Sequence, residues 1–162
     1  LSLLLLIDRY KRQFIKFVFM KTKIIALDVY GTILHSEDVE NEMPPKKGFE
    51  EFVKRCQENN LYLVTSSDSD ITLLKLDLEA SFKKSRSLTL DIFDGFYQLN
   101  IFPKDFSGII YDYEIKPKEL FVIGDQWDKD IKGAKALGCS YLHVPEYGRI
   151  GYEFDFASVE IP

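Results

Sequence analysis

The sequence predicts one α/β domain built on a five-stranded parallel sheet. Five short apolar runs alternate with segments of helical periodicity, and this alternation favours right-handed βαβ units with helices on both faces of a parallel sheet. Several of the apolar runs end at a carboxylate, a hydroxyl or a glycine. The chain has 162 residues, the length of a single domain that buries about 70% of its unfolded surface.

The composition is that of an ordinary globular protein. Hydrophobic residues make up 46% and charged residues 29% of the chain, which argues against disorder. The net charge of −5 makes nucleic acid an unexpected partner, because phosphate contacts need clustered Lys and Arg. Cys56 and Cys139 are far apart and show no metal-ligand spacing. We therefore expect two buried free thiols in a reducing, cytoplasmic environment.

The first nineteen residues differ from the rest of the chain. Residues 1–19 are basic and amphipathic, with apolar side chains at helical spacing. Their apolar run is too short and too interrupted for a membrane span. Three interpretations stay open: a helix docked on the domain, an appended start before Met20, or a membrane-surface or targeting helix. The predicted domain comprises residues 20–162.

The first strand is predicted over residues 24–27. It ends at Asp28, after which the chain turns on Gly31. A polar loop and two prolines follow, and a helix is predicted over residues 46–58. Its apolar positions recur at i, i+3, i+4 and i+7, namely at Phe49, Phe52, Val53 and Cys56. One face of this helix should therefore cover the sheet.

The middle of the chain repeats the pattern. A second apolar strand, residues 61–64, stops at Thr65, which begins a run of hydroxyl residues. A helix is predicted over 70–79 and a third strand near 96–99. A further short helix, 106–113, is preceded by Lys104.

The last strands complete the predicted sheet. Residues 120–123 form a fourth strand that ends at Gly124-Asp125, and a helix starts near 128–130. Gly138 suits the left-handed position just past that helix, and 141–144 is the fifth strand. Residues 146–162 are expected to form a partly ordered surface tail.

The polar strand ends are weak signals one by one, but their order is specific. The segment Asp28-Val-Tyr-Gly-Thr32, followed by Thr65, Lys104 and the segment Gly124 to Asp130, resembles the haloacid dehalogenase (HAD) superfamily of hydrolases. The resemblance runs from about Lys23 to Val144. It implies a three-layer Rossmann-like fold with the strand order 5-4-1-2-3.

The resemblance also implies roles for these residues. Asp28 would attack phosphorus to give an aspartyl phosphate, a step that splits one hard displacement into two easier ones. Thr65 and Ser66 would bind phosphate oxygens. Lys104 would neutralise the charge of the transferring group, with Lys116 as the competing candidate.

A cofactor is implied as well. Mg²⁺ would offset the repulsion between an anionic nucleophile and an anionic phosphate. Its expected ligands are Asp28, Asp125, the Tyr30 carbonyl and, through water, Asp130, with Asp128 as the alternative to Asp130.

Two departures from the family pattern leave the activity open. Tyr30 stands where phosphatases of the superfamily carry a second Asp as general acid and base, and a phenol with a pKa near 10 is a poor replacement. Too few residues separate Asp28, Thr65 and Lys104 to hold a cap domain. Capless relatives tend to act on large substrates or to oligomerise, so the resemblance implies a phosphorylated macromolecule as substrate or a homo-oligomer. A phosphorylated small molecule also stays open as the substrate.

Three functions therefore remain under consideration. The first is a Mg²⁺-dependent phosphohydrolase with Asp28, Tyr30, Thr65 and Lys104 as catalytic candidates. The second is a catalytically weak module that binds phosphate or another protein. The third is a 2-haloacid dehalogenase, because that branch shows Asp-x-Tyr-Gly-Thr; those enzymes, however, lack the metal ligand that corresponds to Asp125.

Overall fold

The computed structural model of the chain describes residues 22–145 and 153–162. Five parallel strands form one sheet with the order β3-β2-β1-β4-β5. The strands are β1 (Ile24–Leu27), β2 (Tyr62–Ser67), β3 (Gly95–Gln98), β4 (Leu120–Gly124) and β5 (Ser140–His143). This arrangement confirms the predicted α/β class and, read from the other edge, the predicted strand order.

In the part of the chain that the structure describes, four α-helices accompany the strands. They are α1 (Phe49–Glu58), α2 (Ile71–Phe82), α3 (Ser107–Asp112) and α4 (Lys132–Leu137). A π-helical turn, Trp127–Ile131, leads directly into α4. Short 3-10 turns lie at Val39–Asn41, Leu90–Ile92, Pro117–Glu119 and Phe156–Ser158.

The sheet separates two hydrophobic layers. On one face, Ile25 and Leu27 of β1 pack with the buried sides of α1 and α2. On the other face, Ile24 and Ala26 pack with residues of α3 and α4. Every residue of β1 is buried because both faces of a parallel sheet are covered. The strands β1 and β4 therefore read as continuous apolar runs.

The ends of the helices follow local chemistry. The Asp70 carboxylate accepts hydrogen bonds from the backbone N–H groups of Thr72 and Leu73 and so caps the start of α2. Gly138 has φ of 76° and ends α4 in the left-handed conformation that the sequence predicted for it.

The segment 153–162 differs from its prediction as a surface tail. Phe156 is fully buried, and its ring lies 5.1 Å from that of Phe49 and 5.2 Å from that of Phe52. The Arg55 guanidinium donates to the carbonyl oxygens of Phe156 and Val159, each at 3.0 Å. Aromatic burial outweighs the cost of ordering this segment, which is therefore part of the core.

Two predictions fall on other parts of the chain. The boundary between residues 1–19 and the domain lies outside the described residues, and so do residues 146–152 of the predicted tail. Within the described ranges, no helix is long and apolar enough to cross a membrane.

Candidate active site

The site lies at the carboxyl ends of the three central strands. Asp28 follows β1, and its backbone N–H donates to the Ile123 carbonyl of β4 at 2.9 Å. Asp125 follows β4, and Thr65 to Ser67 form the end of β2. The hydroxyl residues belong to the strand itself, beyond the predicted end at residue 64. Neighbouring parallel strands end at one edge of the sheet, so their terminal side chains meet there.

Lys104 connects the acidic groups of the site. Its Nζ donates to Asp28 Oδ1 at 2.9 Å, to Asp130 Oδ1 at 2.6 Å and to the Ser66 carbonyl at 2.8 Å. The residue is 2% exposed. A buried ammonium with two carboxylate partners keeps its charge, and these partners hold its pKa above the ordinary value despite burial.

Close backbone packing holds Lys104 in this position. Its N–H donates to the Lys129 carbonyl at 2.9 Å. Gly133 of α4 approaches so closely that a Cβ at Gly133 would lie 2.2 Å from the Lys104 carbonyl oxygen. Only a glycine allows this approach, and α4 thereby fixes the backbone from which the lysine reaches the site.

Three aspartates form a candidate metal centre. Asp28, Asp125 and Asp130 each offer an oxygen atom, and these atoms all lie within 4.8 Å of one another. Burial raises the pKa of Asp28 to about 7, against the opposing effect of Lys104, and burial also raises the pKa of Asp125. Such clustered anions are stabilised by a cation.

The donor set fits Mg²⁺. Carboxylate oxygens are the ligands that this ion prefers. A Cβ at Gly31 would lie 2.4 Å from Asp125 Oδ2, so the turn after β1 packs tightly against the carboxylate and fixes its place. The Thr32 hydroxyl lies 3.3 Å from both Asp28 Oδ2 and Asp125 Oδ1 and further orders the pair.

Two hydroxyls of β2 suit a phosphate group. Thr65 Oγ1 and Ser66 Oγ are buried and have no hydrogen-bond partner within the described residues. Buried polar atoms are almost always paired. The Thr65 and Ser66 hydroxyls, at the end of β2, are therefore candidate donors to an oxyanion.

The Tyr30 side chain turns toward α2. Its hydroxyl donates to Asp77 Oδ2 at 2.5 Å. Burial, followed by the hydrogen bond to Asp77, raises the pKa of the phenol. Asp77 was not singled out in the sequence, because a half-buried acid on an amphipathic helix resembles any solvated residue.

Lys46 is a second buried lysine that the sequence did not indicate. It is 6% exposed, and its Nζ donates to the Gly31 carbonyl. Burial lowers its pKa, while the charges of Asp125, Glu37 and Asp28 oppose that shift. The chain returns to the site because Lys46 N–H donates to the Ile33 carbonyl at 2.7 Å. The two prolines before Lys46 predict a turn in the chain, but they do not predict its hydrogen bond to Ile33.

The two alternative candidates lie away from the cluster. Lys116 is exposed and precedes β4, and so lies at the other end of the strand from Asp125. The Asp128 side chain is 81% exposed and pairs with Lys132 at 2.5 Å. The structure thus brings Lys104 and Asp130 to the site, whereas the roles of these residues stay predictions.

The fold is a five-stranded parallel α/β sheet, and three aspartates and a buried lysine meet at the carboxyl ends of its central strands. A family model described as HAD-hydrolase-like matches residues 103–146, the part of the chain that contains Lys104, Asp125 and Asp130. No curated protein sequence matches the chain.

Solved structures share the fold at low sequence identity. A predicted phosphoglycolate phosphatase from Haemophilus somnus is 12% identical, with a TM-score of 0.60, over 88% of this chain and 91% of that one. CbbY from Rhodobacter sphaeroides, in complex with phosphate, is 12% identical, with a TM-score of 0.65, over 85% and 96%.

A third structure contains a metal ion. The N-terminal part of BF1531 from Bacteroides fragilis, which holds a phosphatase domain complexed with Mg, is 16% identical. Its TM-score is 0.61 over 82% of this chain and 39% of that one. The family model covers residues 103–146 alone, and the solved structures show that the fold is shared.

Proposed function

We propose that this protein is a Mg²⁺-dependent phosphohydrolase that acts through an aspartyl phosphate on Asp28. One observation carries the proposal: Lys104 Nζ joins Asp28 to Asp130 inside a cluster that also contains Asp125. A carboxylate at a strand end, held beside a buried cation, is placed to act as a nucleophile toward an anionic group.

The described residues support each part of this chemistry. Asp28 attacks phosphorus, and the lysine ammonium stabilises the charge on the equatorial oxygens as the transition state forms. Thr65 and Ser66 donate their unpartnered hydroxyls to the phosphate oxygens. Mg²⁺, when held by Asp28, Asp125, Asp130 and the Tyr30 carbonyl, would supply positive charge that reduces the repulsion between nucleophile and substrate.

We also propose that the domain lacks a cap. The described residues between Asp28 and Thr65 form a loop, a short 3-10 turn and α1, and those between Thr65 and Lys104 form α2, another short turn and β3. Water is then excluded from the site by the substrate itself or by another subunit. A phosphorylated macromolecule or a homo-oligomer meets this requirement. We also propose a cytoplasmic location for the protein.

A second candidate is a binding module with little turnover. The observation that favours it is the hydrogen bond from Tyr30 to Asp77, because the usual acid–base carboxylate is absent from position 30. Dehalogenation is less well supported, since Asp125 belongs to the acidic cluster and the resemblance expects no such ligand in dehalogenases.

The test is hydrolysis of p-nitrophenyl phosphate with and without Mg²⁺. We expect turnover that requires the metal and is lost in Asp28→Asn. Asp128→Asn is the matched control, because it removes an exposed carboxylate on the π turn outside the cluster. Trapping of a phosphorylated Asp28 by rapid acid quench and peptide mass analysis identifies the intermediate. Binding of Mg²⁺ and phosphate without any turnover would favour the binding module instead.

A further inference from the structure

The proton donors around the site decide which leaving groups it can expel. An alkoxide leaving from phosphorus needs a proton, and a positioned general acid typically contributes about 10²- to 10⁴-fold to such a step. The side chain at position 30 is a phenol, which is the donor nearest along the chain to Asp28. A phenol has one proton, and the Tyr30 proton is donated to Asp77 Oδ2 at 2.5 Å. The hydroxyl therefore faces a carboxylate and not the leaving group.

Three carboxylates of the described residues lie near the site but outside the metal cluster, and each has a partner. Asp68, at the end of β2, accepts from Lys129 Nζ at 2.9 Å, and this ion pair together with Lys104 lowers its pKa despite burial. Glu37 lies 3.0 Å from the His35 ring. Asp77 accepts from the phenol. Asp68 and Asp77 thus use an oxygen atom as an acceptor within the protein, and Glu37 is paired with the His35 ring.

The lysines of the site are engaged as well. Lys104 donates to two carboxylates and to the Ser66 carbonyl, which accounts for its three protons. Lys46 donates to the Gly31 carbonyl. Lys129 pairs with Asp68 and lies 4.6 Å from the centre of the Phe102 ring. These cations can neutralise phosphate charge, and the three contacts of Lys104 leave it no proton for a departing oxygen.

We infer, on the basis of the proposed function, that the substrates are phosphoryl compounds whose leaving group is stable as an anion. Acyl phosphates and phosphates of acidic phenols belong to this class. The specificity-determining pair is Tyr30 with Asp77, because the carboxylate orients the phenol and keeps its proton from the departing oxygen. Asp77 acts through Tyr30 and is a positioning residue.

Both steps balance without a proton donor. In the first step, Asp28 Oδ forms a bond to phosphorus, and the bond from phosphorus to the leaving oxygen breaks. The leaving oxygen keeps the electron pair of that bond, so the leaving group departs as a carboxylate or phenolate. In the second, water adds to phosphorus and the bond to Asp28 breaks. The Asp28 carboxylate is restored, and the product leaves as dihydrogen phosphate with both protons of the water. The second leaving group is itself a carboxylate and needs no proton either.

The test is a leaving-group series on the wild-type protein with Mg²⁺. Acetyl phosphate, p-nitrophenyl phosphate, phenyl phosphate and glycerol 3-phosphate are compared by kcat/KM. We expect the first two to be hydrolysed faster than the last two by on the order of 10²- to 10⁴-fold, the contribution of the missing acid. The two activated substrates distinguish acyl from aryl preference. Equal rates across the series would overturn the inference.

Variants locate the cause. Tyr30→Phe removes the hydroxyl, and we expect the ratio of kcat/KM for p-nitrophenyl phosphate to kcat/KM for phenyl phosphate to stay unchanged. A larger ratio in this variant would show that the phenol is a proton donor and would overturn the inference. Tyr30→Asp should raise the rate on phenyl phosphate more than that on p-nitrophenyl phosphate. The matched control is Tyr97→Phe, since Tyr97 also donates to an aspartate, Asp112, at 2.8 Å.

Failure of the inference and failure of the proposed function are distinguishable. If no substrate of the series shows hydrolysis that depends on both Mg²⁺ and Asp28, the proposed function is wrong. If such hydrolysis occurs but does not depend on the leaving group, only the inference is wrong.

Discussion

Lys104 Nζ lies 2.6 Å from Asp130 Oδ1, closer than the 2.9 Å that separates it from Asp28 Oδ1. The lysine is thus anchored by Asp130, whose side chain is 2% exposed. Asp28 shares the cation through Oδ1, and its other oxygen, Oδ2, accepts a long hydrogen bond of 3.3 Å from the Thr32 hydroxyl. This division suits a nucleophile that must change partners during a reaction.

The Lys104→Met variant should lose both activity and stability. Removal of one partner from a buried ion pair leaves uncompensated charge and costs about 3–5 kcal/mol. Urea unfolding of the metal-free protein measures this loss as a decrease in the free energy of unfolding. Mg²⁺ should restore part of the stability, because it supplies positive charge to the same carboxylates. Lys116→Met, at an exposed lysine away from the cluster, is the control and should change neither quantity.

Asp125 should be required for metal-dependent stabilisation. A ligand at 100 times its Kd stabilises the native state by about 2.7 kcal/mol, so Mg²⁺ is expected to raise the Tm of the wild-type protein. Asp125→Asn should remove most of that increase. Asp128→Asn should retain it, and equal Mg²⁺ responses of all three proteins would place the metal elsewhere.

Lys46 should weaken Mg²⁺ binding through its charge. The Asp125 and Asp28 carboxylates act on the Lys46 ammonium, and a cation beside the metal ligands competes with the metal. Lys46→Met is expected to tighten Mg²⁺ binding roughly three- to tenfold, as for loss of one partly screened charge. Isothermal titration calorimetry measures this Kd. Lys47→Met changes the neighbouring, exposed lysine, which pairs with Asp155 at 3.6 Å; a similar shift in that control would contradict a local effect.

Phe156 should be essential for stability although it lies outside every motif. Truncation of a buried aromatic side chain costs about 3–5 kcal/mol, and Phe156 is fully buried against Phe49 and Phe52. Chemical denaturation of Phe156→Ala should show a loss of that size. Phe102→Ala, at a residue that is 48% exposed, should change the free energy of unfolding by about 0.5 kcal/mol or less. Equal effects of the two substitutions would mean that 153–162 contributes little to the core.

The sequence was most informative where local pattern determines structure. The alternation of apolar runs with amphipathic segments predicted the sheet and its helices because each run has no other way to bury its side chains. The order of Asp28, Thr65 and Asp125 along the chain predicted that they meet, since parallel strands end at one edge. The meeting of Asp28 with Lys104 rested on the family resemblance.

The sequence was least informative where tertiary contacts select among similar residues. Lys104 and Lys116 each precede a helical turn, and Asp128 and Asp130 lie two residues apart in one acidic stretch. In each pair the buried member is the one that makes a contact within the site: Lys104 donates to Asp28, and Asp130 accepts from Lys104. Asp77 and Lys46 carry no local signal at all, because each acquires its partner only when the chain has folded.

The contact between Gly133 and the Lys104 carbonyl bears on how natural variants of this protein are interpreted. Alanine in a helix interior is ordinarily favoured over glycine by about 1 kcal/mol, so Gly133→Ala would be scored as harmless or beneficial by helix propensity. At this position the added methyl group must displace the backbone that carries the site's cation. A loss of function in such a variant would be unexpected from helix propensity, although it follows from the displaced Lys104 backbone.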